Sequence, residues 1–318
     1  GGSVANQGTV EAGQGVAIHA NGALSNEGTV LADAGDTTLG GVDIVQSGKA
    51  SASNDVTVTA TGTLDHRGTT VAGRDLSVSA ADATTAGHMQ AGRDLNVDAG
   101  SLRQQGVVYA KRDIALNGGD ADNAKDATIL ADGALRLRQS GKVSNAGTMQ
   151  GGTVLDAQGL AAFDNAATGT VYAGDRLALQ AKRIDNGGSL YAANGVDLKA
   201  DHVGNTGSLR TGADLTINAT EASNDGTAYA SGNAVWNVAT ILANSGMLVA
   251  KGDLHLVAGS IVSTGTLGAG VLGDGSLGTT GLLDAVVTGA LASHGSTLAA
   301  GDLRLSGTSL DLSSGRTR

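Results

Sequence analysis

Residues Asn205 to Ile217 read NTGSLRTGADLTI, and this stretch contains the pattern that decides the fold. The same pattern occurs nineteen residues earlier, where Asn186 to Leu198 read NGGSLYAANGVDL. In both copies apolar and polar residues alternate in two short runs, which a turn rich in Gly, Ala or Asn separates. Alternation with a period of two predicts short β-strands with one buried face.

A glycine in the motif N-x-G-T/S marks each copy of the pattern, and we use it as the anchor for counting positions. The anchors are Gly8, Gly28, Gly68, Gly87, Gly106, Gly147, Gly169, Gly188, Gly207, Gly226, Gly246, Gly265 and Gly295, with Gly48 as a degenerate member. Most intervals are 19 or 20 residues, and longer ones precede Gly147, Gly169 and Gly295. A constant interval of this size indicates a repeat architecture.

Apolar residues recur at positions +2, +4, +8, +10 and often +12 after the anchor, and a further one lies near +15. The residues near +15 are Leu102, Ile184, Val203, Ile241 and Ile261. Three short strands in one repeat cannot bury an apolar face alone, but they can if each repeat is one coil and the coils stack. The sequence therefore predicts an all-β fold, a right-handed parallel β-helix of about 15–16 coils and roughly 70–75 Å in length.

A helical solenoid is the competing repeat class. It requires apolar residues at i, i+3 and i+4 over ten or more residues. Segments such as LTI and VDL alternate instead, and Gly and Asn interrupt the pattern too often. We therefore favour the β-solenoid.

The composition of the 318 residues excludes several classes of function. The chain has 51 glycines, no proline, no cysteine and few aromatic residues, which suits a thin core without disulfides. A formal charge of −10 argues against a nucleic-acid partner or an anionic membrane. No run of about eighteen apolar residues predicts a membrane span, and no signal peptide is recognisable, so we expect a soluble piece of a longer exported chain. We expect no cofactor.

Asparagine two residues before the anchor suggests a stacked ladder of amides. The members in consecutive coils are Asn186, Asn205, Asn224 and Asn244. A side-chain amide can bond to its equivalents in the neighbouring coils, and Asn tolerates a turn conformation. The alternative is a line of polar groups that binds sugar hydroxyls. We expect Gly207 itself to form the turn.

Aspartate is frequent at +7, and two interpretations are open. These residues are Asp75, Asp94, Asp113, Asp214, Asp253 and Asp302. Each can accept hydrogen bonds from its own following amides, and arginines directly precede three of them, which favours rows of opposite charge. The alternative is a catalytic pair of carboxylates, but nothing else in these coils supports it.

Metal sites and nucleophiles lack their usual spacing. The six histidines occupy different repeat positions without a ligand motif, and we expect them in solvent, with His19 and His255 facing outward. LGDGSLG at 272–278 is a single, loose resemblance to a calcium-binding repeat. No serine lies in a G-x-S-x-G elbow. We expect neither a catalytic residue nor a metal ligand.

Aromatic residues divide between the core and the surface. Trp236 lies at +10, an inward position, and belongs to the core. Tyr172, Tyr191 and Tyr229 lie at +3, an outward position. Tyr191 and Tyr229 are two coils apart, and the coil between them carries Arg210 at the same position. Tyr191, Arg210 and Tyr229 form the best candidate strip for contact with a partner.

The pattern breaks in three places and suggests a division of the chain. We predict a regular β-helix block over 1–265 with degenerate coils near 36–50 and 118–127, an irregular Gly-rich insertion or block junction over 266–294, and a final coil and tail over 295–318. Insertions are places where solenoids build binding surface. A junction between two repeat blocks explains the insertion equally well.

Units such as NQGTVEAGQGVAIHA at 6–20, NTGSLRTGADLTINA at 205–219 and SGMLVAKGDLHLVAG at 245–259 resemble the haemagglutinin repeats of filamentous haemagglutinin and of contact-dependent growth-inhibition proteins. The resemblance covers nearly the whole chain. It implies a secreted bacterial exoprotein at the cell surface, exported by an outer-membrane two-partner-secretion transporter.

The resemblance also implies a role for the segment. The expected role is a monomeric, non-enzymatic rod or shaft of a virulence-associated adhesin or toxin-delivery protein, which projects functional modules toward a receptor or glycan on a host or neighbouring cell. The alternatives are a glycan-binding module on the β-helix surface and a β-helix enzyme that degrades polysaccharides.

Overall fold

The computed structural model describes residues 2–313 and 315–318, and the regular structure in these residues consists of β-strands without helix. Parallel strands stack as a β-solenoid of about 16 turns. The predicted all-β class and coil stacking are therefore confirmed. The chain divides into two units, residues 1–160 and 161–318.

The first unit contributes a short strand from each turn to one parallel sheet and one or two longer segments to another. Its short strands are Thr9–Ala12, Thr29–Ala32, Lys49–Ala52, Thr69–Ala72, His88–Ala91, Val107–Ala110, Thr128–Ala131 and Thr148–Gly151. Its other strands are Val4–Asn6, Val16–His19, Leu24–Asn26, Thr37–Gly41, Ile44–Gln46, Val56–Ala60, Thr63–His66, Leu76–Thr85, Leu95–Gln104, Ile114–Asn123, Leu135–Gln139 and Lys142–Asn145. The strand Leu155–Asn165 includes the boundary between the units.

The second unit repeats this arrangement. Its short strands are Thr170–Ala173, Ser189–Ala192, Ser208–Thr211, Thr227–Ala230, Met247–Ala250, Thr266–Ala269, Ser296–Ala299 and Arg316–Thr317. Its longer strands are Arg176–Asn186, Gly195–Asn205, Asp214–Asn224, Ala234–Asn244, Leu254–Ser263, Leu283–Val287, Ala290–Ser293, Leu303–Ser306 and Ser309–Asp311.

One turn of the second unit shows how the alternation fills the core. Leu190 points inward from the short strand, and Val196, Leu198 and Val203 point inward from the long strand that follows; each is at most 3% exposed. Leu190 lies in register with Leu209 of the next turn, as Val196 does with Leu215. Like residues therefore stack on like residues, and the core is a column of aliphatic side chains.

The predicted inward position of Ile241 is wrong. Ile241 is 36% exposed, and Leu242 occupies the core with 0% exposure. The strand Ala234–Asn244 has one more residue than its neighbours between Val238 and Leu242, so a bulge shifts the register at this point. One extra residue reverses which side chain faces inward, because side chains alternate along a strand.

Trp236 lies in the core, as predicted. It is 0% exposed and pairs in register with Ile217 on one side and Leu256 on the other. It is therefore unavailable for contact with a partner.

The anchor glycines are required by the close approach of successive coils. A Cβ atom at Gly207 would lie 2.2 Å from the carbonyl oxygen of Gly188, the anchor of the preceding coil. The left-handed glycines of the structure lie elsewhere, for example at Gly270 and Gly275. Gly207 thus serves the stacking of coils rather than an unusual turn conformation.

Candidate functional site

The aromatic strip consists of Tyr172, Tyr191, Arg210 and Tyr229, which lie on the outer face of four successive short strands in the second unit. Backbone register places Tyr172 beside Tyr191, Tyr191 beside Arg210 and Arg210 beside Tyr229. The tyrosines are half-buried and Arg210 is exposed. The structure therefore brings together the three residues chosen from the sequence and places Tyr172 next to Tyr191 in the same column.

The ring faces within the strip are partly engaged with each other. The rings of Tyr172 and Tyr191 stack with centroids 5.5 Å apart and an angle of 19°. The Cζ atom of Arg210 lies 5.9 Å from the ring centroid of Tyr229, within the range of a cation–π contact. The strip can consequently offer hydroxyl groups and ring edges to a partner more readily than open ring faces.

A column of hydroxyl residues runs beside the aromatic strip. Thr170, Ser189, Ser208 and Thr227 are in register with one another, each two residues before a member of the strip. Both columns point outward because their positions differ by two. The outer face thus combines hydrogen-bonding groups with aromatic surface, and Arg210 supplies its charge.

The insertion between Ala269 and Leu283 covers the short-strand sheet next to the strip. Its residue Val271 is 4% exposed and Val249 of the sheet is 0% exposed. A Cβ at Gly268 would lie 2.7 Å from Cγ2 of Val271 and 3.0 Å from Cγ1 of Val249, so the glycine leaves room for the loop. The insertion therefore packs on the sheet instead of extending into solvent.

The tip of this insertion reaches the end of the aromatic strip. A Cβ at Gly273 would lie 3.8 Å from the hydroxyl oxygen of Tyr229. Asp274 accepts hydrogen bonds from the backbone N–H and the hydroxyl of Ser276, which closes the tip. The insertion accordingly forms a wall at one end of the strip. This contact had a signal in the sequence. Position 268 is glycine, whereas the equivalent positions of the preceding coils carry larger side chains such as Tyr229 and Val249.

The asparagines before the anchors lie inside the solenoid and bond from coil to coil. The side-chain nitrogen of Asn186 donates to Oδ1 of Asn205 at 2.7 Å, Asn205 donates to Asn224 at 2.7 Å, and Asn224 donates to Asn244 at 2.8 Å. Each of these residues is at most 3% exposed. Their burial leaves them unavailable to sugar hydroxyls.

Comparison with known families agrees with this repeat geometry. The family model of the haemagglutinin repeat matches residues 1–41, 27–91, 90–161, 156–221, 191–256, 210–271 and 268–315. The chain belongs to the haemagglutinin-repeat family. No curated protein and no solved structure matches the chain in the corresponding comparisons.

One histidine of this haemagglutinin-repeat chain contradicts the expectation of solvent exposure. His66 is 0% exposed and occupies the position two residues before the anchor Gly68, where other coils have asparagine. Its Nε2 lies 3.0 Å from the hydroxyl oxygen of Thr70. Burial away from water lowers the pKa of His66 to about 4, because the charged imidazolium loses solvation. Its place two residues before the anchor was the signal in the sequence that separates this histidine from the other five.

The prediction that the aspartates at +7 accept hydrogen bonds from their own following amides is wrong. Where such an aspartate accepts a backbone N–H, the donor lies in the next coil. Oδ1 of Asp55 accepts the backbone N–H of Asp75 at 3.0 Å, and Oδ1 of Asp75 accepts that of Asp94 at 3.2 Å. The same pattern occurs in the second unit, where Asp214 accepts the N–H of Asn233 at 2.8 Å. These carboxylates join successive turns of the repeat.

The arginines beside this row pair with the preceding coil. Arg93 donates two hydrogen bonds to the carboxylate of Asp75, and Arg112 does so to Asp94. The hydrogen bond from Arg93 is the main reason that the pKa of Asp75 lies below its usual value. The row is thus one of ionised, paired carboxylates, which fits the predicted rows of opposite charge.

Within residues 2–313 and 315–318 there is no group of three or more His, Cys, Asp or Glu side chains arranged to hold a metal ion. The same residues include no helix long and apolar enough to span a membrane.

Proposed function

We propose that this haemagglutinin-repeat segment is a shaft of a filamentous-haemagglutinin-like surface protein, which holds functional modules away from the cell. The observation that supports this role most directly is the repetition of the same contacts from turn to turn in each unit. Outside the insertion, core residues, buried amides and backbone pairs recur every 19 to 22 residues, as between Asn165, Asn186 and Asn205. Such nearest-neighbour contacts extend a solenoid without requiring a compact core.

The proposal includes export and position in the cell envelope. By family membership we infer a secreted bacterial protein that uses an outer-membrane partner of the two-partner-secretion type. The shaft would serve either an adhesin or a contact-dependent toxin-delivery protein. Expression with and without such a transporter, followed by protease accessibility on intact cells, tests this part.

Hydrodynamic measurements test the shaft itself. Sedimentation velocity and small-angle scattering are expected to give a monomer with a maximum dimension of roughly 70–75 Å, from about 4.8 Å per coil. The particle should be elongated, with a frictional ratio well above that of a sphere. A compact monomer with the radius of a 31.0 kDa sphere would contradict the proposal.

We further propose that the segment has no enzymatic activity. A general acid needs a raised pKa or a carboxylate that is free to reach substrate. The carboxylates of Asp75 and Asp94 have lowered pKa values and are held by arginine and by backbone N–H groups. A polysaccharide-degrading enzyme remains the alternative, and release of reducing ends that disappears in Asp75→Asn or Asp94→Asn would favour it.

A second candidate function is glycan binding at Tyr191, Arg210 and Tyr229. Its support is the wall that the insertion forms beside Tyr229, since concave corners bind ligands better than flat sheets. Replacing Tyr191 and Tyr229 by Ser and Arg210 by Gln should abolish binding to a glycan array while the circular dichroism spectrum stays unchanged. Unchanged glycan and cell binding would eliminate the strip.

A further inference from the structure

Two of the four tyrosines form a stacked pair on the outer face of the second unit. Tyr172 and Tyr191 are in register on neighbouring short strands, with ring centroids 5.5 Å apart and ring planes at 19°. The other two have different neighbours, since the hydroxyl of Tyr109 donates to a carboxylate and the ring of Tyr229 faces a guanidinium. The pair is therefore the place where two phenols meet.

The backbone on both sides of the pair is held by the core. Val171 is in register with Leu190 and Ala173 with Ala192, and all four side chains are fully buried. The tyrosines alternate with these residues, so both face outward and cannot separate without breaking the strand pairing. Groups held together in this way react with each other far more readily than with groups on another molecule.

The two rings are open to reagents in the surrounding water. Both tyrosines are half-buried, so solvent reaches the edges of their rings while the stack stays intact. The insertion packs farther along the sheet, on Val249 and Gly268, and its tip lies near Tyr229. Stacked rings have to turn edge to edge before two ring carbons can bond, and the solvent-facing side of the pair permits that rotation.

We propose that Tyr172 and Tyr191 form an oxidative cross-linking site, at which a haem peroxidase and hydrogen peroxide join the two rings as dityrosine. Each phenol loses one electron and one proton and becomes a phenoxyl radical, whose unpaired electron is shared with the ring carbons beside the oxygen-bearing carbon. One Cε atom of each ring then forms the new C–C bond. The hydrogen on each of these carbons moves to the oxygen of its own ring, which restores both phenols. The two electrons and two protons reduce one hydrogen peroxide to two water molecules.

The cross-link joins successive coils through a covalent bond between residues 172 and 191. Such a bond stabilises a fold chiefly by restricting the unfolded chain, as a disulfide does. The chain has no cysteine, so tyrosine coupling provides a kind of covalent link that disulfides cannot provide here. Cross-linked protein is expected to unfold at a higher urea concentration than untreated protein. This chemistry does not depend on the shaft role.

Treatment of the full chain with a haem peroxidase and limiting hydrogen peroxide tests the proposal. Trypsin cleaves after Arg176 and Arg183, so the two tyrosines fall in separate peptides, 143–176 and 184–199. After oxidation these peptides are expected to remain joined, with a mass two hydrogen atoms below their sum. Dityrosine fluorescence should appear at the same time, and the protein should run as a monomer on a denaturing gel.

Tyr191→Phe keeps an aromatic ring in the stack but has no phenol to oxidise. It is expected to lower the yield of dityrosine within one chain more than about tenfold, because the pair loses its advantage of proximity. Tyr229→Phe is the matched control, since it removes a hydroxyl from the same column and should leave the yield unchanged. Circular dichroism before oxidation checks that both variants fold.

Three results would overturn the proposal. The first is the absence of the joined peptides 143–176 and 184–199 after oxidation. The second is a yield of dityrosine that rises with protein concentration, which indicates coupling between chains. The third is an equal loss of dityrosine in Tyr191→Phe and Tyr229→Phe.

Discussion

The position two residues before the anchor glycine is filled in different ways in the two units. In the second unit four successive coils have asparagine there, at Asn186, Asn205, Asn224 and Asn244, and each amide bonds to the next. In the first unit four successive coils have Gln46, His66, Thr85 and Gln104, all at most 1% exposed. The fold thus demands a buried polar side chain at this position but not a particular one.

The two sets of residues differ in how many of their buried donor and acceptor atoms have a hydrogen-bond partner. Asn205 donates to Oδ1 of Asn224 and to the carbonyl of Thr227 at 3.2 Å, and it accepts from Asn186. His66 reaches Thr70 through Nε2, but its buried Nδ1 has no hydrogen-bond partner within the described residues. In the uniform ladder, formed by the four asparagines of the second unit, each side chain has hydrogen-bond partners. The mixed ladder, formed by Gln46, His66, Thr85 and Gln104, has a weak point at His66.

Substitution of the anchor glycines tests whether the spacing between coils matters equally in both units. Of all the variants, these should lose the most stability. A Cβ would lie 2.0 Å from the carbonyl oxygen of Gly68 in Gly87→Ala and 2.2 Å from that of Gly188 in Gly207→Ala. Each substitution should cost about 3 to 5 kcal/mol in urea unfolding, because the neighbouring backbone has to move. Similar losses in both units are expected, since spacing does not depend on the ladder residue. The control Gly159→Asn, at a glycine with φ of +77° and open space, should cost far less.

The weak point at His66 should make the first unit sensitive to acid. The pKa of His66 is about 4 in the folded chain and about 6.5 when unfolded. Between pH 6.5 and 4 the unfolded chain therefore binds a proton that the folded chain does not, and the free energy of unfolding should fall by about 3 kcal/mol. Below pH 4 this group causes no further loss. His66→Asn should remove this part of the pH dependence in urea unfolding measured at pH 7 and 4.5.

Exposed His19 provides the matched comparison for His66. His19→Asn should leave the pH dependence of the wild type intact. If His66→Asn and the wild type lose the same stability between pH 7 and 4.5, burial of His66 does not control acid sensitivity.

The substitution Asn205→Ala is the most direct test of the uniform ladder. In Asn205→Ala the buried Oδ1 of Asn224 loses its donor and the side chain of Asn186 loses an acceptor. Unsatisfied buried groups cost about 2 kcal/mol in this situation. Hydrogen exchange should show the loss in the coils on both sides. Asn237→Ala, which removes a comparable bond of 3.0 Å at an exposed position, should cost less than half as much. An equal cost for both variants would show that the ladder has no special role.

The sequence predicted the parts of the fold that depend on alternation within one repeat. Leu190, Leu198 and Trp236 are in the core because period-two parity fixes their side. The burial of Leu242 in place of Ile241 could not be predicted. A single extra residue reverses which side chains of the strand face inward, and neither residue type reveals where the bulge lies.

Contacts between coils were harder to predict than contacts within them. The backbone N–H that a +7 aspartate accepts lies one coil away, 20 residues for Asp55 and Asp75 and 29 residues for Asp253 and Leu282, so it becomes visible only after coils are stacked in register. The packing of the insertion through Val271 and Gly268 depends on the same information. Once the register is known, a glycine in a column of larger residues marks this contact.

The surface row of Asp and Arg in the first unit offers the smallest expected effect. Arg93 is 43% exposed and bonds to Asp75, which is 29% exposed, so solvent weakens their attraction. Arg93→Gln should lower the free energy of unfolding by less than about 1 kcal/mol at neutral pH. The pKa of Asp75 should rise toward its usual value, because the hydrogen bond from Arg93 is the main cause of its lowering. Carboxyl chemical shifts followed by NMR titration measure this directly. The control is Arg67→Gln, which releases Asp65 and should leave Asp75 unchanged.

The pH dependence of the Arg93→Gln effect follows from the same hydrogen bond. A carboxylate with a lowered pKa stabilises the fold above its unfolded pKa and loses that contribution as pH falls. The Arg93→Gln variant should therefore differ from the wild type in free energy of unfolding at pH 7 and converge with it in strong acid. A loss as large as that of Asn205→Ala would instead mean that the outer ion pairs, and not the buried ladder, hold the first unit together.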